Sequence, residues 1–264
     1  PQSHRVDTLA EWLRLPARAQ AGLVEPLPAR IAARALLPAQ EAALVHTLQV
    51  LVTLGADSST LSAAAAYEAL PAEDIPAEVP AALIEGQREA ETVWSIHAER
   101  GARAASEGLR RLLLSIVKDL RVVLILLARQ LVRLRDFKIL ASEDQRRLAE
   151  LTADIHAPLA NRLGIWQLKW ELEDLVFRIL QPETYRRVAD LLAEKRVDRE
   201  RYIERTVAAL RAALEEAGLR AEVAGRPKHI FSIWRKMQKK KLAFDDLYDL
   251  RALRVTVGDL GACY

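Results

Sequence analysis

The chain has 264 residues, 51% of them apolar and 28% charged, with a net charge of +3. That balance excludes a disordered, collagenous or low-complexity chain, and the length suits one or two domains. A single cysteine, Cys263, excludes an intrachain disulfide and a cysteine-based zinc site, and fits a reducing, cytoplasmic setting.

Residues 1 to about 155 predict a helical domain, with scarce Gly, abundant Ala and Leu, and apolar residues at three- and four-residue spacing. Leu44, Leu48 and Leu51 with Val45 and Val52 form one such face, and Ser58, Ser59 and Thr60 offer N-caps for a helix from Leu61 to Leu70. Pro71, Pro76 and Pro80 break the next segment into a loop. Helices are expected from about Glu85 to Leu114 and from Ser115 to Leu134; the second is apolar on all sides at its centre and reads as the buried helix. Its apolar stretch Val122–Ala128 has seven residues, and a bilayer span needs about 20, so no membrane partner is expected. No signal peptide opens the chain, and Pro rather than Met at position 1 suggests a beginning inside the protein or just after its true start. Ser142 with Gln145 resembles a capping box opening a helix to about His156, and Pro158 and Gly164 mark a turn. Helices Gln167–Leu180, Pro182–Glu194 and Asp198–Gly218 come next.

The texture changes at Gly218. Ala221–Val223 alternates as a short strand, Gly225 punctuates it, Pro227 suits a first helical residue, and Leu253–Val257 reads as a second strand. The expected organisation is a helical domain over 1–155, connecting helices over 156–217, and the opening β-α-β of an α/β domain over 218–264. A sheet of two strands is marginal alone, so a fragment of a longer chain is expected.

Seven basic residues and no acid lie between Arg226 and Lys241; without them the net charge of +3 becomes −4. A basic run is ordinarily a solvated helix face, but a concentrated patch also suits a polyanion. Lys228, Ser232 and Lys236 stand at i, i+4 and i+8, one face of a helix, while Ile230, Ile233, Trp234 and Met237 lie largely off it. Two ammonium groups and a hydroxyl beside a helix start suit a polyphosphate, and Arg226 just ahead would bind phosphate or stack on a base. Asp249, at the mouth of the second strand, is a carboxylate of the kind a Mg²⁺-nucleotide site needs. Asp245 and Asp246 read as caps.

Gly225 to Met237, Phe244 to Val255, Ala157 to Ile165 and Lys169-Trp-Glu-Leu-Glu-Asp174 together resemble the start of the synthetase region of long RelA/SpoT homologues, over about 155–258. That family makes the alarmone (p)ppGpp from ATP and GTP or GDP, using Mg²⁺. The resemblance implies that Arg226 and Arg254 hold the adenine, that Lys228, Ser232 and Lys236 hold ATP phosphates, and that Asp249 holds Mg²⁺. It also implies a ribosome carrying uncharged tRNA as partner, through C-terminal regions beyond Tyr264.

The helical half is similar to the family's HD-type hydrolase domain, where a His, a His-Asp pair and a distal Asp hold Mn²⁺. Here those positions carry Ala43, Tyr67 with Glu68, and Arg129. Glu68 alone retains a ligand chemistry, and Arg129 would repel a metal. His46, His97 and His156 read as ordinary helix residues. The pattern resembles the branch that synthesises without hydrolysing, so no Mn²⁺ is expected; a bifunctional or Mn²⁺-dependent hydrolase, and an RNA-docking module, are the alternatives.

Overall fold

The computed structural model describes residues 6–14, 22–100, 119–194, 196–226, 228–247 and 252–263. Among these, helices α1 (Leu9–Leu13), α2 (Leu27–Ala33), α3 (Pro38–Thr53), α4 (Ser58–Ala69), α5 (Ala81–Arg100), α6 (Leu120–Arg135), α7 (Ser142–Leu151), α8 (Ala157–Arg162), α9 (Trp166–Leu180), α10 (Pro182–Glu194) and α11 (Arg196–Glu216) precede strand β1 (Ala221–Arg226), helix α12 (Ile230–Lys240) and strand β2 (Ala252–Val257). The fold is mainly helical, and it divides into two compact units, Pro1–Leu172 and Glu173–Tyr264.

The first unit is built on α3, α4, α5 and α6. In α6 the side chains of Val122, Val123, Ile125, Leu126, Leu127, Leu131 and Leu134 are buried, as the all-round apolar pattern predicts. Truncating one of the larger ones, Leu127→Ala for instance, costs about 2–5 kcal/mol. Small residues let α6 approach: a Cβ on Gly86 would stand 2.8 Å from Val122 Cγ2. The α4 start lies three residues before the expected Leu61, because Asp57, not the Ser58–Thr60 run, is its N-cap and accepts from the Thr60 backbone N–H at 2.7 Å. Its hydrogen bonds from Thr60 hold the Asp57 carboxyl below the usual carboxylate range. The helix expected from Glu85 begins at Ala81, right after Pro80; its far end, and the expected start at Ser115, fall where residues 101–118 lie outside the described ones. Asp119 caps α6 through the Arg121 N–H at 2.9 Å.

Two further expectations do not hold. Ser142 does not form a capping box: the N-cap of α7 is Ala141, and Gln145 Nε2 donates instead to the Leu140 carbonyl at 2.8 Å. Pro158 makes no turn. A π-helical turn, Thr152–His156, joins α7 to α8, where Pro158 falls in the first turn and loses no hydrogen bond the helix needs. Gln130 Nε2 donates to Thr152 Oγ1 at 2.7 Å across this buried turn.

In the second unit β1 and β2 pair antiparallel, from Ala221 opposite Val257 to Arg226 opposite Ala252. The expected β-α-β order is therefore not a parallel crossover. Two strands need support, and α11 packs on both. Gly218, with φ of 71°, ends α11 as the Leu219 N–H reaches the Leu214 carbonyl at 2.8 Å. Gly225 lies inside β1 rather than at a turn. A Cβ there would stand 2.5 Å from Ile203 Cγ2 on α11, so the absence of a side chain is what seats strand on helix. The body of α12 is anchored by Ile233, which is fully buried with Val188, Phe244 and Leu247.

Among the described residues no helix is long and apolar enough to cross a membrane.

Candidate functional site

Two places collect the residues singled out from the sequence, one in each unit.

In the first unit, Arg129, which the family resemblance sets at the distal metal-ligand position, lies on α6. Its side chain is 13% exposed. Nε lies 2.8 Å from Glu68 Oε2 on α4, Nη1 lies 2.8 Å from Glu91 Oε1 on α5, and Nη2 donates to Gln87 Oε1 at 2.8 Å. The guanidinium carbon stands 5.2 Å from the centre of the Tyr67 ring, and the Tyr67 hydroxyl donates to Glu91 Oε2 at 2.8 Å. Burial, then the hydrogen bond to Glu91, push the Tyr67 phenol up to about 12, so it is a neutral donor at any physiological pH. Three helices thus converge on one cation, which Tyr67 and Glu68 of α4 face as a ring and a counter-charge. Ala43 lies on α3 and contributes only its backbone carbonyl, to the Thr47 hydroxyl at 2.9 Å. The sequence reading missed Gln87 and Glu91. Their i, i+4 spacing puts them on one face of α5, but nothing in it says that the face meets Arg129.

The histidines differ from one another. His46 Nε2 lies 2.7 Å from Asp7 Oδ1. His156 is wholly buried in the π-helical turn, and burial, opposed by a hydrogen bond to the Leu151 backbone, brings its imidazole down to about 4, so it is neutral near pH 7. The side chain of His97 lies outside the described residues.

In the second unit, α12 starts at Ile230 with His229 as N-cap, three residues later than Pro227 suggested. Lys228 is therefore not on the helical face with Ser232 and Lys236: it precedes the cap, and only Ser232 and Lys236 are helical, at i and i+4. All three are half-buried. The strand register puts positions 226 and 254 on one face of the ribbon as diagonal neighbours, since 226 is opposite 252; such Cα pairs stand about 7–8 Å apart. Asp249 and the side chain of Arg226 lie outside the described residues, as do Arg251 and the side chain of Asp245. Asp246 acts as a cap, accepting from the Ala243 N–H at 3.3 Å.

A cleft of about 780 Å³ opens between the end of α11 and the ribbon, lined among others by Arg211, Leu214, Glu215, Leu219 and Thr256. Among the described residues, Lys228, Ser232, Lys236 and Arg254 are not part of its lining.

Residues 29–166 match the family described as an HD domain, and residues 225–264 match the family described as a region found in RelA/SpoT proteins. The chain belongs to the RelA/SpoT family, with an HD domain as the bulk of its first unit. A GTP pyrophosphokinase of Escherichia coli (strain K12) is 47% identical over 232 residues, covering 83% of this chain and 31% of that protein. A GTP pyrophosphokinase of Haemophilus influenzae is 50% identical over 184 residues, covering 69% of this chain and 25% of that protein. A probable guanosine-3′,5′-bis(diphosphate) 3′-pyrophosphohydrolase of Synechocystis is 40% identical over 218 residues, covering 80% and 29%. The chain thus spans less than a third of the length of the curated relatives it matches.

Proposed function

We propose that the protein carrying this chain is a (p)ppGpp synthetase whose HD domain does not hydrolyse the product. In this reading the 3′-hydroxyl oxygen of GTP or GDP attacks the β-phosphorus of ATP, the bond from that phosphorus to the α-phosphate oxygen breaks, AMP leaves, and the hydroxyl proton is released. Arg226 and Arg254 stack on the two faces of the adenine, a role that suits diagonal neighbours on one face of a β-ribbon. Lys228, Ser232 and Lys236 bind the ATP phosphates and neutralise their charge as it develops. Mg²⁺ held by Asp249 would supply further charge neutralisation at the transferred group. Two relatives at 47–50% identity named GTP pyrophosphokinase support the assignment. The ribosome with uncharged tRNA would be engaged by regions outside this chain.

The single observation behind the silent hydrolase is Arg129. A divalent metal in an HD centre needs several anionic or imidazole ligands around an empty point. Here Glu68 and Glu91 are already turned onto a guanidinium, and Tyr67 is a neutral phenol. Those residues do not fit Mn²⁺. The Synechocystis relative named as a hydrolase favours a second, bifunctional reading, and one experiment separates the two. The complete protein is incubated with ATP and GDP, and separately with ppGpp and Mn²⁺, while Mn²⁺ binding is followed by calorimetry. Synthesis without pyrophosphate release and without micromolar Mn²⁺ binding is the expected result. Release of 3′-pyrophosphate would establish the bifunctional reading, and no synthesis would remove the first.

A further inference from the structure

The segment Lys169-Trp-Glu-Leu-Glu-Asp174 has no part in the proposed synthesis, yet its last residue touches the start of the phosphate-binding helix. Asp174 sits on α9 with its side chain 19% exposed. Its Oδ1 accepts from the Phe231 backbone N–H at 2.8 Å, and its Oδ2 lies 3.2 Å from His229 Nδ1. The N-cap residue of α12, His229, makes no side-chain cap of its own, so an open donor of the first turn is satisfied by a carboxylate from a different helix. One turn further along α9, Phe177 packs on the rings of Phe231 and Trp234, with centroids 5.6 and 4.7 Å away. Two successive turns of α9 therefore hold the first turn of α12. The residue immediately ahead of that cap is Lys228, and Ser232 comes one residue after Phe231.

We infer that Asp174 is a positioning residue for ATP: it holds the start of α12 so that Lys228 and Ser232 keep a common direction toward the triphosphate. The inference rests on the synthetase reading. The body of α12 is anchored separately, by Ile233 in a cluster with Val188, Phe244 and Leu247, so losing Asp174 frees the end of the helix and leaves its seat intact.

The test uses the complete protein and steady-state kinetics with ATP and GDP varied in turn. Asp174→Ala, which removes a charged hydrogen-bond acceptor, is expected to raise the KM for ATP about tenfold. The conservative Asp174→Asn keeps an oxygen for the Phe231 N–H and is expected to raise it by only about threefold. The KM for GDP should stay within about twofold of the wild type in both, a split that a general loss of folded protein would not produce. Should Asp174→Ala fold poorly, Asp174→Asn and His229→Gln, which leaves the Phe231 bond in place, carry the measurement. Wild-type synthesis with an unchanged ATP KM in the variants, or with both KM values moving together, overturns the inference alone. A wild-type protein that makes no (p)ppGpp overturns the synthetase reading, and this inference with it.

Discussion

Arg129 and the basic stretch from Arg226 to Lys241 are both concentrations of positive charge, handled in opposite ways. Arg129 is enclosed by its own protein: Glu68 and Glu91 balance the charge, Gln87 accepts a hydrogen bond, and the Tyr67 ring lies alongside. The stretch 226–241 contains no acid at all. The carboxylate that meets its helix start, Asp174, is turned onto a backbone N–H and an imidazole. The difference is between a cation whose counter-charges come from distant helices and a run of cations with no acid in its own sequence. A cation whose counter-charges are built in is complete without a ligand, whereas a run of basic residues with no acid among them suits a polyanion from outside.

The contrast breaks most sharply at Asp249. In the complete protein Asp249→Asn is expected to abolish (p)ppGpp synthesis with the fold intact, read as labelled product together with a circular dichroism spectrum. Retained turnover would take the metal role away from this residue.

The next effect belongs to the enclosed region. The imidazole of His156 titrates near 6.5 when unfolded and near 4 when folded, so between those values the unfolded chain binds more protons. The stability it contributes is complete above about pH 6.5 and is lost as the pH falls toward 4. Urea unfolding at pH 7 and pH 4.5 should show wild type losing about 2–3 kcal/mol more than His156→Phe. Equal losses would mean that the π-helical turn admits a charged ring.

Arg129→Ala should destabilise the first unit by about 2 kcal/mol. That is below the value for a fully buried pair because Glu68 and Glu91 are partly exposed. Chemical denaturation reads the loss, and no hydrolysis of ppGpp should accompany it. A stable variant would place the guanidinium among ordinary surface charges.

Smallest is Gly225→Ala, expected to cost about 1 kcal/mol through the clash with Ile203. In an Ile203→Ala background the same substitution should cost less. Equal costs would show that the strand is not seated there by close approach.

Much of the molecule is legible in the sequence because it is local. The apolar run around Val122–Ala128 must bury wherever it lies, and α10 begins and ends at the expected Pro182 and Glu194. Caps are less legible: Asp57 takes the place expected of Ser58–Thr60, and Ala141 that of Ser142. Several neighbouring side chains can satisfy the same open N–H, and the choice depends on how the preceding loop arrives.

By itself the sequence determined the helical character of the first unit and the two strands flanking a basic helix, since both come from periodicity and residue type. Only the tertiary structure decided that Gln87 and Glu91 close around Arg129, that the strands run antiparallel, that Lys228 stands ahead of its helix, that Gly225 makes room for Ile203 and that Asp174 caps α12. Each of these depends on which faces of distant elements meet. Helical and strand periods repeat every few residues and carry no record of the partner face, which is selected when the core packs.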